Sequence, residues 1–532
     1  MLTTPTAPAV NLPDTLIQSL PAPRGEHSAV GGINPQEVAP EFVARVPIAF
    51  ARRFAVLGLT PHDGIMPMAV ASEASLNALD KLTTLLGLAT EPVWVEGSVL
   101  RKAIDEAYGG QEVHVESAIS GLTEQPSTIL EQLSQPRDLL DGTNASPVAR
   151  LVDLILWEAV KRRGSDVHIQ PYEDLVQVRL RVDGVLYDYV QPPRSVLDEI
   201  VSRIKVLAKM NIAEKRLAQD GRTTVTVGDK TIDLRISTLP TRCGERVVLR
   251  LLDKSARLYR LPDLGMNEAE LAQFAELIRR THGIILVCGP TGSGKTTTLY
   301  AALQELNGKE LNILTLEDPI EYQLSGISQT QVSDKKGMTF ATGLRHVLRQ
   351  DPDVIMVGEV RDAETARMAV QSSLTGHLVF STLHTNDAAG AVARLLDLGI
   401  EPYLVAGSIL GVLAQRLVRR VCVHCRAPRM VTKDDVRIIP QLREYLGRTL
   451  YDARGCERCN QTGYRDRIGL FELLRVNDAL QGLMTGSPQS KDIKQAARDN
   501  GMRTLREDAV GKLLGGVTTL DEVLRVTHAD EG

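Results

Sequence analysis

The strongest constraint on this chain is one eight-residue run, Gly289-Pro290-Thr291-Gly292-Ser293-Gly294-Lys295-Thr296, together with its flanks. The run fits the spacing G-x-x-x-x-G-K-S/T. Ahead of it, Ile284–Cys288 is a short continuous apolar segment, as expected of a strand buried on both faces of a parallel sheet. Behind it, Thr296–Leu306 reads as a helix. This order directs backbone N–H groups and a helix N-terminus at one point, where a polyphosphate can be held. Glycines are needed there because a side chain would block close backbone approach and forbid φ > 0. In such a loop Lys295 reaches the β- and γ-phosphates and the Thr296 hydroxyl ligates Mg²⁺, with Thr297 next to it at the helix start. The expected ligand is ATP or a related nucleoside triphosphate.

At 532 residues the chain has room for about three or four domains. Aromatic residues make up only 4%, so the cores must rely on Leu, Val, Ile and Ala. A net charge of −5 and a pI near 6.1 argue against a general nucleic-acid coat, which carries a basic excess. No stretch reaches the 18 or so apolar residues of a membrane span, and the richest, Leu404–Leu417, is broken by Gly407, Ser408 and Gly411. The first residues lack the basic and apolar regions of a signal peptide, so cytosol is the expectation.

Residues 1–40 are rich in Pro, Ala and Gly and read as a flexible tail. Residues 41–118 regain pattern and predict a small α+β domain, and the polar stretch 119–146 reads as a linker. Ser146-Pro147 looks like an N-cap with proline at the first helical position, followed by Val148, Leu151, Val152, Ile155 and Ala159 at helical spacing. The period then changes to two: Val176, Val178, Leu180 and Val182 alternate with polar residues up to Asp183-Gly184, a hairpin turn. Thr223–Val227 and Thr231–Ile236 flank a second turn at Gly228-Asp229, so 147–255 reads as a second α+β domain. From 256 to 532 the expectation is a RecA-like P-loop domain with a parallel sheet. Its strands are Ile284–Cys288, Asn312–Leu316, Val354–Val357 and Leu378–Thr382, alternating with helices. Beyond 465 the chain reads as helical (466–532), and Thr519 with Glu522 as a capping box.

Polar clusters follow these strands, at the edge where open α/β sheets bind ligands. They are Glu317-Asp318-Pro319-Ile320-Glu321, Gly358-Glu359-Val360-Arg361-Asp362, and Thr375-Gly376-His377 with His384-Thr385-Asn386. A carboxylate ending an apolar strand suits the Mg²⁺ shell, here Glu359 where Asp is usual. Cys422, Cys425, Cys456 and Cys459 form two C-x-x-C pairs separated by 30 residues. Four thiolates in that spacing can close a tetrahedral, structural Zn²⁺ site in a subdomain at 421–465. Cys243 and Cys288 stand singly and read as small buried hydrophobes.

On these residues the chain resembles the secretion ATPase superfamily, and within it the type II secretion ATPase (GspE) family, from about Phe42 to the C-terminus. Gly289–Thr296 is similar to its Walker A loop, Glu317–Glu321 to its aspartate box, and Leu348–Asp353 with Gly358-Glu359 to its Walker B. Leu374–His377 with His384–Asn386 resembles its histidine box, and the four cysteines its zinc subdomain. Ser165–Pro171 and Gln219–Arg222 also look like family signatures. The resemblance implies a Mg-dependent ATPase in which Glu317 is the general base, Glu359 holds the Mg²⁺ shell, and His377 and His384 belong to the catalytic set. It implies that Arg235, Arg250, Arg345, Arg349 and Arg361 complete the site, partly across a subunit boundary of a homohexamer. Pro47–Phe54 resembles the start of a domain that docks on an inner-membrane partner. The implied partners are the cytoplasmic domain of the L component and the polytopic F component, with no nucleic acid and no membrane span of its own. Type IV pilus assembly ATPases are the near alternative, and a nucleic-acid translocase a more distant one. Residues 41–118 show no clear cyclic-dinucleotide-binding pattern.

Overall fold

A computed structural model describes residues 33, 37–46, 48–62, 64–76, 78–109, 146–227, 230–253, 259–308, 310–486 and 488–527. Nearly all of the expected tail at 1–40, almost the whole linker at 119–146 and the Gly228-Asp229 turn lie outside these residues. Met1–Trp157 and Glu158–Gly532 form two compact units.

In the first unit, β1 (Val56–Gly58), β2 (Ile65–Val70) and β3 (Ala89–Trp94) make a three-stranded sheet. The central β2 runs antiparallel to β1 and parallel to β3. Helices Pro40–Arg45, Ile48–Phe54, Leu79–Leu86 and Gly97–Gly109 surround it. Phe42, Leu57, Met66, Met68, Leu82, Leu100 and Ile104 fill one core. The expected α+β domain is present, but it starts before residue 41: Ala39 N–H donates to Gly58 O at 3.0 Å and Val38 bridges Leu59. The helix Pro147–Lys161 begins as expected, with the Ser146 hydroxyl accepting from Ala149 N–H at 3.3 Å.

The second unit opens with six antiparallel strands: β4 (Gly164–Pro171), β5 (Val176–Val182), β6 (Val185–Val190), β7 (Gln219–Val227), β8 (Lys230–Thr241) and β9 (Gly244–Asp253). Their order is β6-β5-β4-β9-β8-β7. The β5–β6 turn is Asp183-Gly184, with φ of 49° and 85°. Strand alternation sends Val167, Ile169, Val178, Leu180, Leu234, Ile236, Val247 and Leu249 into the interior. The opposite face carries a row in register across five strands: Arg181, Asp166, Arg250, Arg235 and Arg222.

The remaining strands are β10 (Gly283–Cys288), β11 (Ile313–Glu317), β12 (Ser328–Gln331), β13 (Val354–Val357), β14 (Leu378–Leu383), β15 (Ile409–Val421), β16 (Ala427–Met430), β17 (Thr449–Asp452) and β18 (Tyr464–Arg475). Seven form one sheet, ordered β12-β11-β13-β14-β10-β15-β18. All its neighbours are parallel except β15 and β18. Every residue of β10, β13 and β14 is buried. Along β10, Ile284, Leu286 and Cys288 enter one hydrophobic cluster and Ile285 and Val287 the other, so the sheet has a core on each face. β16 and β17 form a separate two-stranded antiparallel sheet between the cysteine pairs, with the helix Lys433–Ile438 in the connection.

One expectation fails here. The chain is not helical from 466, because Tyr464–Arg475 is a twelve-residue strand. Its run Gly469-Leu470-Phe471-Glu472-Leu473-Leu474 has no clear period, and such a run fits a buried strand as well as a helix. Antiparallel pairing with β18 gives β15 a second hydrogen-bonded neighbour and makes β18 the edge strand of the sheet. The helices begin at Asp478. Thr519 caps the last of them, its hydroxyl accepting from Glu522 N–H at 3.3 Å, but the Glu522 carboxylate does other work. It is fully buried and accepts from Arg419 N–H (3.0 Å), Arg419 Nη2 (2.8 Å) and Arg525 Nε (2.9 Å). Burial alone would raise the Glu522 carboxyl, but the Arg525 and Arg419 donors outweigh it and hold it at about 2. Because the folded value is depressed, this stabilisation is complete above the ordinary value of 4.5 and is lost as pH falls toward about 2. Glu522→Gln should destabilise the larger unit by about 3–5 kcal/mol, since it strands Arg419 in the interior. Thermal midpoints should show that gap at neutral pH and show it narrowing under acid.

Candidate nucleotide site and cysteine cluster

The phosphate loop follows β10 and ends in the helix Lys295–Leu306. Gly289 (φ 145°) and Gly294 (φ 88°) press against β15: an added Cβ would lie 2.3 Å from Gln415 O and 2.8 Å from Gln415 Nε2 respectively. No side chain caps Gly294, and the first helical turn has no acidic residue, so its N–H groups and dipole favour an anion. Pro290, Thr291, Gly292 and Thr296 are exposed and Thr297 is half-buried, whereas Ser293 is buried. Lys295 is folded into the loop, donating to Gly289 O (2.8 Å) and Pro290 O (3.1 Å). Burial pulls its ammonium below the ordinary value, opposed by the nearby Cys288 and Glu359.

Strands β10, β11, β13 and β14 are parallel, so the loop, Glu317, Glu359 and His384 emerge at one edge. Glu359 follows β13, two strands from β10, and pairs with Arg361 and with His384 Nε2 at 3.4 Å. Glu317 ends β11, one strand further out, and is only 3% exposed. Its Oε1 accepts from Thr315 Oγ1 (2.6 Å) and Gln329 Nε2 (3.0 Å), and its Oε2 accepts from the Tyr300 hydroxyl.

His377 is a correction. It precedes β14, and its carbonyl accepts from Gly283 N–H at the start of β10 (3.2 Å). At about 3.3 Å per residue, the six-residue strands put it roughly 20 Å from the phosphate loop, at the opposite edge of the sheet. Its Nδ1 donates to Ser372 O at 2.9 Å, which closes the turn after the helix Ala363–Leu374. Two histidines seven positions apart with a strand between them cannot share one edge.

The five arginines have different partners within this chain. Arg361 reaches Glu359, and Arg235 reaches across from β8 to Glu321 Oε2 at 3.4 Å. Arg250 pairs with Asp166 at 3.1 Å on the six-stranded sheet. Arg345 pairs with Glu364, and Arg349 donates to Arg345 O at 2.7 Å.

The four cysteine sulfurs lie within 4.8 Å of one another. Separations of 3.9 Å (Cys422–Cys456 and Cys425–Cys459) and 3.7 Å (Cys456–Cys459) match the edge of about 3.8 Å in a tetrahedron of Zn–S bonds. Backbone N–H groups of Gly455, Cys456 and Gly463 point at Cys425 Sγ and Cys459 Sγ at 3.2–3.3 Å. Burial opposes ionisation of Cys459, but the Cys456 and Gly463 donors outweigh it and bring that thiol to about 7. The donor set fits a thiophilic cation. Cys288 is buried as expected, while Cys243 is only half-buried.

Sequence reasoning missed Gln415, which accepts from Thr298 Oγ1 at 2.7 Å beneath the loop, and the Tyr300–Gln329 pair around Glu317. Gln415 carried a signal, a single amide within the apolar stretch from Ile409 to Leu417. Tyr300 carried none, since on a helix it reads as core.

The chain is similar to known proteins. Residues 141–525 match the family model described as type II/IV secretion system protein, and residues 30–114 match that of the MshEN domain. The Type II secretion system ATPase E of Vibrio cholerae is 45% identical over 490 residues, 91% of this chain and 97% of its own. The Type IV pilus assembly ATPase PilB of Myxococcus xanthus is 41% identical over 499 residues, 93% of this chain and 88% of its own. The solved structure of the Legionella pneumophila ATPase DotB is similar in fold, with a TM-score of 0.53 at 21% identity, over 73% of this chain and 97% of that one. With its phosphate loop and acidic strand ends on one edge, and a family match spanning most of its length, the chain belongs to the type II/IV secretion system protein family and is an ATP-hydrolysing enzyme.

Proposed function

We propose that this chain is the motor of a type II secretion system, hydrolysing ATP to drive pseudopilus assembly and protein export. The observation that carries the reading is the shared edge of β10, β11, β13 and β14, which gathers the phosphate loop, Glu317 and Glu359. Lys295 exchanges the carbonyls of Gly289 and Pro290 for phosphate oxygens, alongside the free N–H groups of the first helical turn. Thr296 and Glu359 offer hard oxygen donors to Mg²⁺, which supplies positive charge to the phosphates. Glu317 orients the attacking water and takes its proton. His384 and Arg361 hold Glu359 in place.

The homohexamer belongs to this proposal. Four arginines and one aspartate stand in register on the six-stranded sheet, and like charges placed side by side are unfavourable without an anion to face. Arg235 and Arg250 in that row, with Arg345, Arg349 and Arg361, are proposed to meet the triphosphate, some of them across a subunit boundary. Docking is assigned to the N-terminal domain, on the cytoplasmic domain of the L component, with the F component as the load. The protein would then be cytoplasmic and peripheral at the inner membrane. Among the described residues, no helix is long and apolar enough to cross a membrane. Cys422, Cys425, Cys456 and Cys459 are proposed to hold Zn²⁺ as a structural cross-link.

Similarity to a pilus assembly ATPase makes a pilus motor the second reading. Phosphate release measured with and without the L component's cytoplasmic domain separates them: stimulation is expected, and a response only to a pilus platform protein would reverse the assignment. Glu317→Gln should bind ATP normally yet hydrolyse it at least about 100-fold more slowly in single turnover. Metal analysis of purified protein should find about one zinc per chain, and less than about half would count against the cysteine site.

A further inference from the structure

We propose that Tyr300 and Gln329 are positioning residues that fix the Glu317 carboxylate in its working orientation. The inference rests on the reading of Glu317 as the residue that takes the proton of water. A glutamate side chain has three rotatable bonds, and one donor leaves it free to swing. Here three donors from three elements act on its two oxygens. Thr315 belongs to β11 itself, Gln329 to β12, and Tyr300 to the helix Lys295–Leu306.

Each outer donor is anchored in turn. Gln329 Oε1 accepts from Leu324 N–H at 2.7 Å, and its Nε2 also reaches Tyr322 O at 3.2 Å. The Tyr300 ring is 1% exposed and meets the Tyr322 ring edge-on, with centroids 4.6 Å apart. Burial, together with the adjacent carboxylate, pushes the Tyr300 phenol up, so it remains a donor. Tyr300 also stands on the helix whose N-terminus receives the phosphates. The hydroxyl therefore ties Glu317 to the same rigid body that holds the nucleotide, and phosphate and base keep one spacing. Packing alone would be satisfied by phenylalanine at 300; the hydroxyl serves Glu317.

The test is steady-state and single-turnover hydrolysis by Tyr300→Phe and Gln329→Met, with nucleotide affinity and thermal midpoint measured on the same full-length protein. Each variant should lose about 10- to 100-fold in kcat, with KM and nucleotide Kd within about 2-fold of wild type. The double variant Tyr300→Phe with Glu317→Gln should be no slower than Glu317→Gln alone, because both act through one group. Wild-type kcat in both single variants, while Glu317→Gln is slow, would overturn the positioning role. So would additive losses in the double variant, or a fall in affinity matching the fall in kcat. Wild-type turnover by Glu317→Gln itself would instead remove the reading of Glu317 as base. Gln329→Met keeps the test open if Tyr300→Phe fails to fold.

Discussion

Strand β15 is the element on which the larger unit depends. It lies between β10 and β18 in the seven-stranded sheet, and its backbone is committed on both sides. Gln415 sets its carbonyl and amide against Gly289 and Gly294. Four residues on, Arg419 donates to the Tyr187 hydroxyl of the six-stranded sheet at 2.8 Å and covers the Tyr464 ring at 3.8 Å. The same guanidinium holds Glu522 of the last helix, and the strand runs directly into Cys422. Residues 415, 417 and 419 face one way because strand side chains alternate. One face of one strand thus touches the phosphate loop, the second sheet and the C-terminal helix, while its end enters the cysteine cluster. Rigid hydrogen bonding along β15 keeps these parts in register.

The site rests with its charges paired. Lys295 is held by loop carbonyls, Glu359 by Arg361 and His384, and Glu317 by three neutral donors. Leaving any of these groups unpartnered costs more than an average hydrogen bond gains, and each of the three has its partners. The partners of Lys295 are backbone carbonyls and that of Glu359 is a half-exposed histidine beside an exposed arginine. Glu317 differs, being enclosed by residues that are themselves anchored, which suits a group whose position matters more than its mobility.

Much of this was legible in the residues. The apolar runs at 284–288 and 354–357 fall on strands because a parallel strand buried on both faces favours apolar residues, and in 378–382 the buried Ser381 and Thr382 hydroxyls donate to backbone carbonyls of Val357 and Gly358. The hairpin at Asp183-Gly184 and the helix from Pro147 followed from turn and capping chemistry. The apolar run within Tyr464–Arg475 has no period and fits helix and strand equally, and only its pairing with β15 decides between them. His377 and His384 share one motif, yet a strand's length separates them, since chain proximity does not survive a crossing of the sheet.

By itself the sequence determined the phosphate loop, the acidic strand ends, the cysteine spacing and the succession of α+β and α/β segments. These are local matters of period, glycine placement and ligand spacing. Only the tertiary structure decided which of those groups meet. Strand order places Glu359 two strands and Glu317 three from the loop, and it sends His377 to the far edge. It brings Gln415, Tyr300 and Gln329 to the site, although none of them belongs to a motif that points there. The reason is physical: pairing between strands distant in sequence is set by burial and edge closure over the whole sheet, and no window along the chain contains it.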